Sequence, residues 1–445
     1  MRLRDTVAKG AATGTGREAT AAETYQRIRP CLRRLGVTRV ADITGLDRVG
    51  IPVFNAICPR SHDTVSVYSG KGTSPAAART SAVMEAVERH HAARPRRPDL
   101  VASYHELSAQ GRRVVPPADF LLTLAPGYHD RQPIAWSYGH DLIADTPVLV
   151  PHHALAYGTA PLPGPGCFAY TTTNGLAAGN SVEEALCHAL TEVVERDAHT
   201  LAEVVDRQLP AILARRLGPE AARRLSDRLA GQRLVDLTTL PASAADLVAR
   251  FTAAEVRLHL VDITSDLGIP TFRAVSSEDL GPDTSAGHHG VGTHPDAEVA
   301  VLRALTECAQ SRAVDIQAMR EDISTAYDEV PDAMLHVRRA TPRQAAGHLP
   351  RPGTVPCPFT TVRSYPTDDV MADVTLLLDR LRAAGCDRVV AVDLSSSEVP
   401  AAVVRVLVPG AESWGIDRGR LGRRATRAWR RALTAAGADR AEVPR

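Results

Sequence analysis

One pattern constrains this chain more than any other. Acidic or amide side chains stand three residues apart inside apolar helical stretches, and they do so in three places. The first stretch reads S-A-V-M-E-A-V-E-R, with Ser81, Glu85, Glu88 and Arg89. The second reads H-A-L-T-E-V-V-E-R, with His188, Glu192, Glu195 and Arg196. The third reads R-A-L-T-E-C-A-Q-S-R, with Arg303, Glu307, Gln310 and Arg312. Residues three and four apart share a helix face. The Ala, Val, Leu and Met around each pair put that face on, or beside, a buried surface.

Two buried carboxylates so placed repel each other, and each is costly to desolvate without a partner. Divalent cations remove the conflict. Mg²⁺ takes hard oxygen ligands in octahedral geometry, combining carboxylates with phosphate oxygens. Glu85/Glu88 and Glu192/Glu195 are therefore candidate ligands for metals that bridge a nucleotide's phosphates, and neighbouring arginines can neutralise the remaining charge. A single E-x-x-E-R is ordinarily a solvated, salt-bridged face. Repetition inside apolar helices, each after a Gly-rich segment, argues against that reading here.

Those Gly-rich segments are Ser69–Thr73, Thr173–Asn180 (containing Asn174 and Asn180) and His288–Gly292. They are expected to be turns that let a ligand approach the backbone closely, each before a helix N-terminus that attracts anions. Lys71, one of only two lysines with Lys9, supplies a point charge. None is a phosphate-binding P-loop, since Val65 stands where its first Gly should be, and the GxGxxG dinucleotide fingerprint is absent.

Around these motifs the chain reads as mixed helices and strands. VTRVADITG, IPVFNAIC and TVSVYSG read as strands. A helix over 74–93 starts at a Ser74 cap followed by Pro75, and another over 181–205 starts at Ser181 with Glu184 completing a capping box. Residues 206–250 read as helical, 256–265 and 271–279 as strands, and 296–312 as helix. Pro-rich, charged sequence fills 331–366, before a helix over 370–385 and two closing strands. The fold class expected is α+β with mixed sheets rather than a doubly wound sheet.

Composition excludes several classes. The net charge is +1, which is not the basic excess of a nucleic-acid binder, and the Arg-rich stretch 418–431 reads equally well as a solvated helix face. The 7 cysteines are scattered without a C-x-x-C pair, which argues against a disulfide framework or a zinc knuckle. No apolar run suits a signal peptide or a membrane helix, so a cytoplasmic location is expected. Cys187 and Cys308 sit inside motif helices, where core packing outweighs a persulfide role. The pairs His152-His153 and His288-His289 lack helical metal-ligand spacing, so loop or phosphate contacts are expected there.

Taken together, GKG…ARTSAVMEAVERH, TTTNGLAAGNSVEEALCHALTEVVERDA, VGTHPDAEVAVLRALTECAQSR and VLVPGAES resemble the YcaO superfamily, in that family's order, over roughly residues 60–415. The resemblance implies a catalytic domain over 60–415, an N-terminal extension and the start of the catalytic fold over 1–59, and an Arg-rich helical tail over 416–445. It implies ATP and Mg²⁺ as cofactors, with Glu85, Glu88, Glu192 and Glu195 as metal-binding and catalytic carboxylates beside Arg196. It points to Lys71, Ser81, Asn180, Glu184 and Arg312 as nucleotide contacts or their support. Arg89, Asn174 and Gln310 join them, with a structural role inside the motifs as the alternative. The implied chemistry is phosphorylation of a peptide backbone amide oxygen, which makes phosphate the leaving group. The segment from Thr24 to Pro59 resembles the subgroup that works with a TfuA-like partner, and the tail lacks the PxPxP ending of azoline-forming members. That favours thioamide formation with a sulfide source on a ribosomally synthesised peptide. Azoline-forming cyclodehydration, or a non-catalytic nucleotide-binding accessory role, is the alternative. Homodimerisation is implied by the resemblance alone.

Overall fold

The computed structural model describes residues 1–10, 16–63, 65–94, 96–158, 164–218, 220, 233–278, 287–318 and 354–437. The first helix, α1 (Ala21–Ile28), is closed by a capping box between Thr20 and Glu23. Strands β1 (Arg39–Asp42), β2 (Val53–Ile57) and β3 (Val67–Lys71) form an antiparallel sheet in that order. Helix α2 (Pro75–Ala92) follows, with Ser74 accepting from the Ala77 N–H and proline in the first turn.

A second sheet combines β4 (Leu100–Ser103), β5 (Pro133–Asp141), β6 (Thr146–Pro151) and β7 (Leu176–Gly179) with two strands from the far end of the chain. Helix α3 (Tyr104–Ala109) lies between β4 and β5. Helix α4 (Val182–Glu203) runs out of β7 and continues into α5 (Leu209–Leu217). The third sheet holds β8 (Arg233–Asp236), β9 (Arg257–Asp262), β10 (Thr271–Ser277) and β11 (Gly287–Thr293). Helix α6 (Ala242–Ala253) connects β8 to β9, and α7 (Ala297–Ala318) follows β11. The short β12 (Cys357–Pro358) adds in parallel to β8. Helix α8 (Val370–Ala383) leads to β13 (Val390–Asp393) and β14 (Ala402–Leu407), which complete the second sheet in the order β4-β5-β13-β14-β7. Helices α9 (Trp414–Asp417) and α10 (Arg423–Ala435) end the described chain.

The architecture is α+β, and one unit recurs in it. Each motif helix lies on its own sheet: α2 on β2 and β3, α4 on β7 and β14, α7 on β10 and β11. The glycines explain the closeness of the fit, and they correct the expectation of turns. Gly70 lies in β3, Gly179 in β7, and Gly290 and Gly292 in β11. A Cβ on Gly70 would stand 2.0 Å from the Ala82 nitrogen, and one on Gly290 would stand 2.2 Å from that of Cys308. On Gly179 it would stand 2.5 Å from the Ala185 nitrogen. These residues let a helix backbone rest directly on a strand. Facing alanines on the helices (Ala78, Ala82, Ala185, Ala300, Ala304) are fully buried.

Other expectations shift too. Region 206–250 contains helix but also β8, and 221–232 lies outside the described residues. Of 331–366 only 354–366 is described, carrying β12 and a short helical turn. The final residues 441–445 and the segment 11–15 also lie outside. At α4 only half of the capping box forms. Ser181 accepts from the Glu184 N–H, while the Glu184 carboxylate turns to Asn180 and Arg17.

Candidate functional site

The inward face of α4 carries Glu184, His188, Glu192 and Glu195, spaced so that they form one stripe. The other two motif helices and β3 bring their polar groups to it. At its N-terminal end Arg17 pairs with Glu184 at 2.8 Å, and Asn180 donates to the same carboxylate at 3.1 and 3.2 Å. Thr24 and Arg27 of α1 donate to the Asn180 oxygen at 3.0 and 3.2 Å. One turn on, Arg303 of α7 donates to His188 Nε2 at 3.3 Å. Burial and that guanidinium hold the imidazole well below its ordinary pKa.

The acidic centre lies at the next two turns. Lys71 pairs with Glu307 of α7. Arg196 donates to Glu192 at 3.1 Å, and Arg89 donates to Glu85 at 3.2 Å while standing 3.9 Å from Glu88 and 3.7 Å from Asp63. Glu195 is almost fully buried, and its Oε2 has no hydrogen-bond partner among the described residues. Burial, reinforced by Glu307, pushes the Glu195 carboxyl up to about 7. Burial also raises Glu85 against the pull of Arg89, and raises Glu88 further still, with Glu192 and Glu85 adding repulsion. Burial works against ionisation of Glu307 as well, but Lys71 beside it prevails and holds that carboxyl low. Arg405 of β14 is fully enclosed, its charge felt by Glu192 and Glu88; burial brings its pKa down to about 10.

Burial, more than any neighbouring charge, is what raises these carboxyls. Raised carboxyls and an orphaned carboxylate oxygen are what a divalent cation relieves, so the donor set fits Mg²⁺ bound with phosphate oxygens. Among the described residues no three of His, Cys, Asp or Glu already converge as a metal centre. The reason is visible in the pairing: Glu85, Glu192 and Glu307 each lean on a basic partner from their own or a neighbouring element.

Of the remaining candidates, Ser81 lies one turn before Glu85 on the same face, half-buried. Asn174 Oδ1 is enclosed without a partner among the described residues. Gln310 donates to the Ser69 carbonyl at 2.7 Å and so ties α7 to β3. Arg312 is placed differently. It is buried and donates to Asp47 at 2.9 and 3.0 Å, with Glu278 at 2.9 Å, away from the acidic stripe. Glu307 and Arg303 were not among the expected site residues. The shared A-L-T-E run holds the signal, because it aligns Glu307 with Glu192 and Arg303 with His188. Arg17, Asp63 and Arg405 are brought in by tertiary structure.

The histidine pairs and cysteines have other surroundings. His152 Nδ1 and Ser137 Oγ are 2.7 Å apart, and His288, within β11 rather than a loop, lies 2.9 Å from Asp315. Cys187 and Cys308 are buried, which pushes their thiols up to about 12 and about 11. That suits core packing and not a reactive thiolate.

The sequence model of the YcaO family, described as a cyclodehydratase that binds ATP and Mg²⁺, matches residues 69–412. The chain belongs to the YcaO family. ATP and Mg²⁺ are accordingly its cofactors. This YcaO protein is 36% identical over 404 residues to an uncharacterized protein of Methanothermobacter thermautotrophicus, covering 90% of this chain and 96% of the other. It is 34% identical over 403 residues to an uncharacterized protein in the tfuA 3′ region of Rhizobium leguminosarum bv. trifolii, covering 89% and 88%. Among solved structures, YcaO from Methanopyrus kandleri bound with AMPPCP and Mg²⁺ superposes with a TM-score of 0.65 at 27% identity, covering 94% of this chain and 98% of that one. A heterocyclase in complex with substrate and cofactor gives 0.72 at 22% identity, covering 96% of this chain and 57% of that longer protein; this likeness concerns the fold. Among the described residues no helix is long and apolar enough to cross a membrane.

Proposed function

We propose that this YcaO protein activates a peptide backbone amide by ATP-dependent phosphorylation of its oxygen, and that sulfide then displaces phosphate to leave a thioamide. The observation that carries the first half is the convergence of Glu85, Glu88, Glu192, Glu195 and Glu307 from three helices around Lys71, Arg196 and Arg405. Phosphoryl transfer needs positioning and charge neutralisation more than it needs covalent help from the protein. Mg²⁺ supplies that neutralisation when bound, held by the carboxylates of α2 and α4.

The chain's own groups do the rest. Arg89 and Arg196 fix the orientation of Glu85 and Glu192 through their i, i+4 pairs. Lys71, resting on Glu307, is the cation free to turn toward a phosphate oxygen once Glu307 finds another partner. Arg303 and Arg17 line the His188–Glu184 end of the stripe, where the rest of a nucleotide would lie beside Asn180. On this reading Ser81, one turn before Glu85, and Asn174 are further polar contacts for the nucleotide.

Two observations favour sulfide as the nucleophile. The relative from the tfuA 3′ region aligns along most of both chains, and the Thr24–Pro59 segment resembles the TfuA-associated subgroup. A TfuA-like partner and a sulfide source belong to this reading. The described likeness to cyclodehydratases supports the second reading, in which a Cys, Ser or Thr side chain of the peptide attacks and an azoline forms. The test incubates the protein and a TfuA-like partner with candidate peptide, ATP, Mg²⁺ and sulfide, and reads peptide mass. A gain of about 16 Da, lost in Glu85→Ala and Glu192→Ala, is expected. A loss of about 18 Da without sulfide would instead mean cyclodehydration at the same ATP site.

A further inference from the structure

A cavity of about 260 Å³ opens at the C-terminal end of α2, the helix that carries Glu85 and Glu88. Its described walls include Ala93, His152, His153, Tyr157, Gly166 and Thr171, and no Asp, Glu, Lys or Arg. Two arginines connect the surroundings of this cavity to the glutamates. The Arg89 guanidinium, paired with Glu85, lies 5.2 Å from the centre of the Tyr157 ring. Arg405 donates to the carbonyls of Ala154 at 3.1 Å and Thr172 at 2.7 Å, the chain neighbours of the wall residues His153 and Thr171, while its charge bears on Glu192 and Glu88.

The imidazoles in this wall are arranged as neutral hydrogen-bonding groups. His153 Nδ1 accepts from the Phe168 N–H at 3.3 Å. A backbone N–H can only donate, so in the neutral ring Nε2 carries the proton and is a donor. His152 is 2% exposed and held through Nδ1 against Ser137, with the Arg96 backbone beside its ring. Burial lowers the pKa of both rings, which keeps them uncharged near neutral pH. The volume is many times the roughly 30 Å³ share of one water, too large for a hydrosulfide ion alone. The described wall residues are mostly Ala and Gly and include no Asp, Glu, Lys or Arg, which suits an uncharged ligand that offers amide groups.

We propose that this cavity is the acceptor-side pocket, which takes a short, uncharged, small-side-chain segment of the substrate peptide and presents its neighbouring amide toward the acidic centre on the Arg89 and Arg405 side. The proposal rests on the reading of a peptide amide as substrate. It is independent of whether sulfide or a side chain later attacks.

A photo-crosslinking residue placed at Thr171, with one at exposed Val101 as control, tests it in the full-length protein with Mg²⁺ and a non-hydrolysable ATP analogue. The probes are two biotin-tagged synthetic peptides of equal length, one of Gly, Ala and Ser, the other rich in Glu and Lys. The Gly/Ala/Ser peptide should crosslink at 171 and not at 101, and the charged peptide should do so at most weakly. Ala93→Leu, which fills the pocket, and His153→Ala should each cut the yield about tenfold. Both should bind a fluorescent ATP analogue within about twofold of wild type, which reports an intact fold and nucleotide site. Equal yields at 171 and 101, or yields unmoved by Ala93→Leu and His153→Ala, overturn the pocket. ATP-dependent mass change of peptide by the wild type, measured in parallel, separates that failure from failure of the amide-activation reading.

Discussion

Glu195 shows most clearly what the site lacks on its own. Burial beside Glu307 raises its carboxyl from an ordinary 4.5 to about 7. Between those values the folded protein holds a proton that the unfolded chain has released. Stability of the metal-free protein therefore falls as pH rises through that window. Binding of Mg²⁺ with nucleotide favours the carboxylate, so near pH 7 it should release protons, and affinity should climb with pH. Calorimetric titration in two buffers of different ionisation enthalpy reads this directly. The binding heats should differ between buffers in wild type and converge in Glu195→Gln; identical heats in wild type would contradict the assignment. Arg312 makes the opposite case. Its partners are Asp47 and Glu278, so Arg312→Met should lower unfolding stability by about 3–5 kcal/mol, the cost of breaking a buried pair, and leave nucleotide affinity nearly unchanged. Urea unfolding beside nucleotide titration checks both; lost affinity at full stability would return Arg312 to the nucleotide. Helical spacing alone puts Glu85 and Glu88 on one face of α2 and Glu192 and Glu195 on one face of α4, so the placement of each pair could be read locally. That of Arg312 could not, since its partner Asp47 is 265 residues away in the chain and nothing in a local motif reveals it.

At the scale of elements, the helices were readable to within a residue or two at α2 and α8, where Ser74 and Asp369 mark the starts. The Gly-bearing strands were harder. Gly weakens strand propensity, so β11, with three glycines among its seven residues, read as a loop. The same glycines have a packing purpose that appears only when the helix is laid on the strand. Gly290→Ala puts a methyl group 2.2 Å from the Cys308 nitrogen, against backbone that cannot yield cheaply. Overpacking of this kind costs about 1–3 kcal/mol or more. Thermal unfolding should show a lowered midpoint with or without nucleotide. If the midpoint holds and only nucleotide binding suffers, the glycine serves a ligand instead. Strand β8 escaped for another reason: four residues between helical stretches are too few to show an alternating pattern.

Over the whole molecule, three helix-on-sheet units meet with their acidic faces inward, and the chain's two ends brace the central one. Arg4 and Arg17 hold Glu183 and Glu184 at the start of α4, and Arg424 of α10 holds the fully buried Asp197 at 2.7 and 2.8 Å. The order of motifs along the sequence made the family legible. The meeting of the three units was not, because it depends on contacts between segments a hundred or more residues apart. On the function proposed above, that meeting place is an amide-phosphorylating centre. The most direct measurement labels the target peptide's amide carbonyl with heavy oxygen and follows the phosphate released during ATP-dependent modification. The label should appear in phosphate, one atom per modified amide, whether the product is a thioamide or an azoline. Unlabelled phosphate accompanying modified peptide would contradict O-phosphorylation and with it the role given to the acidic helices.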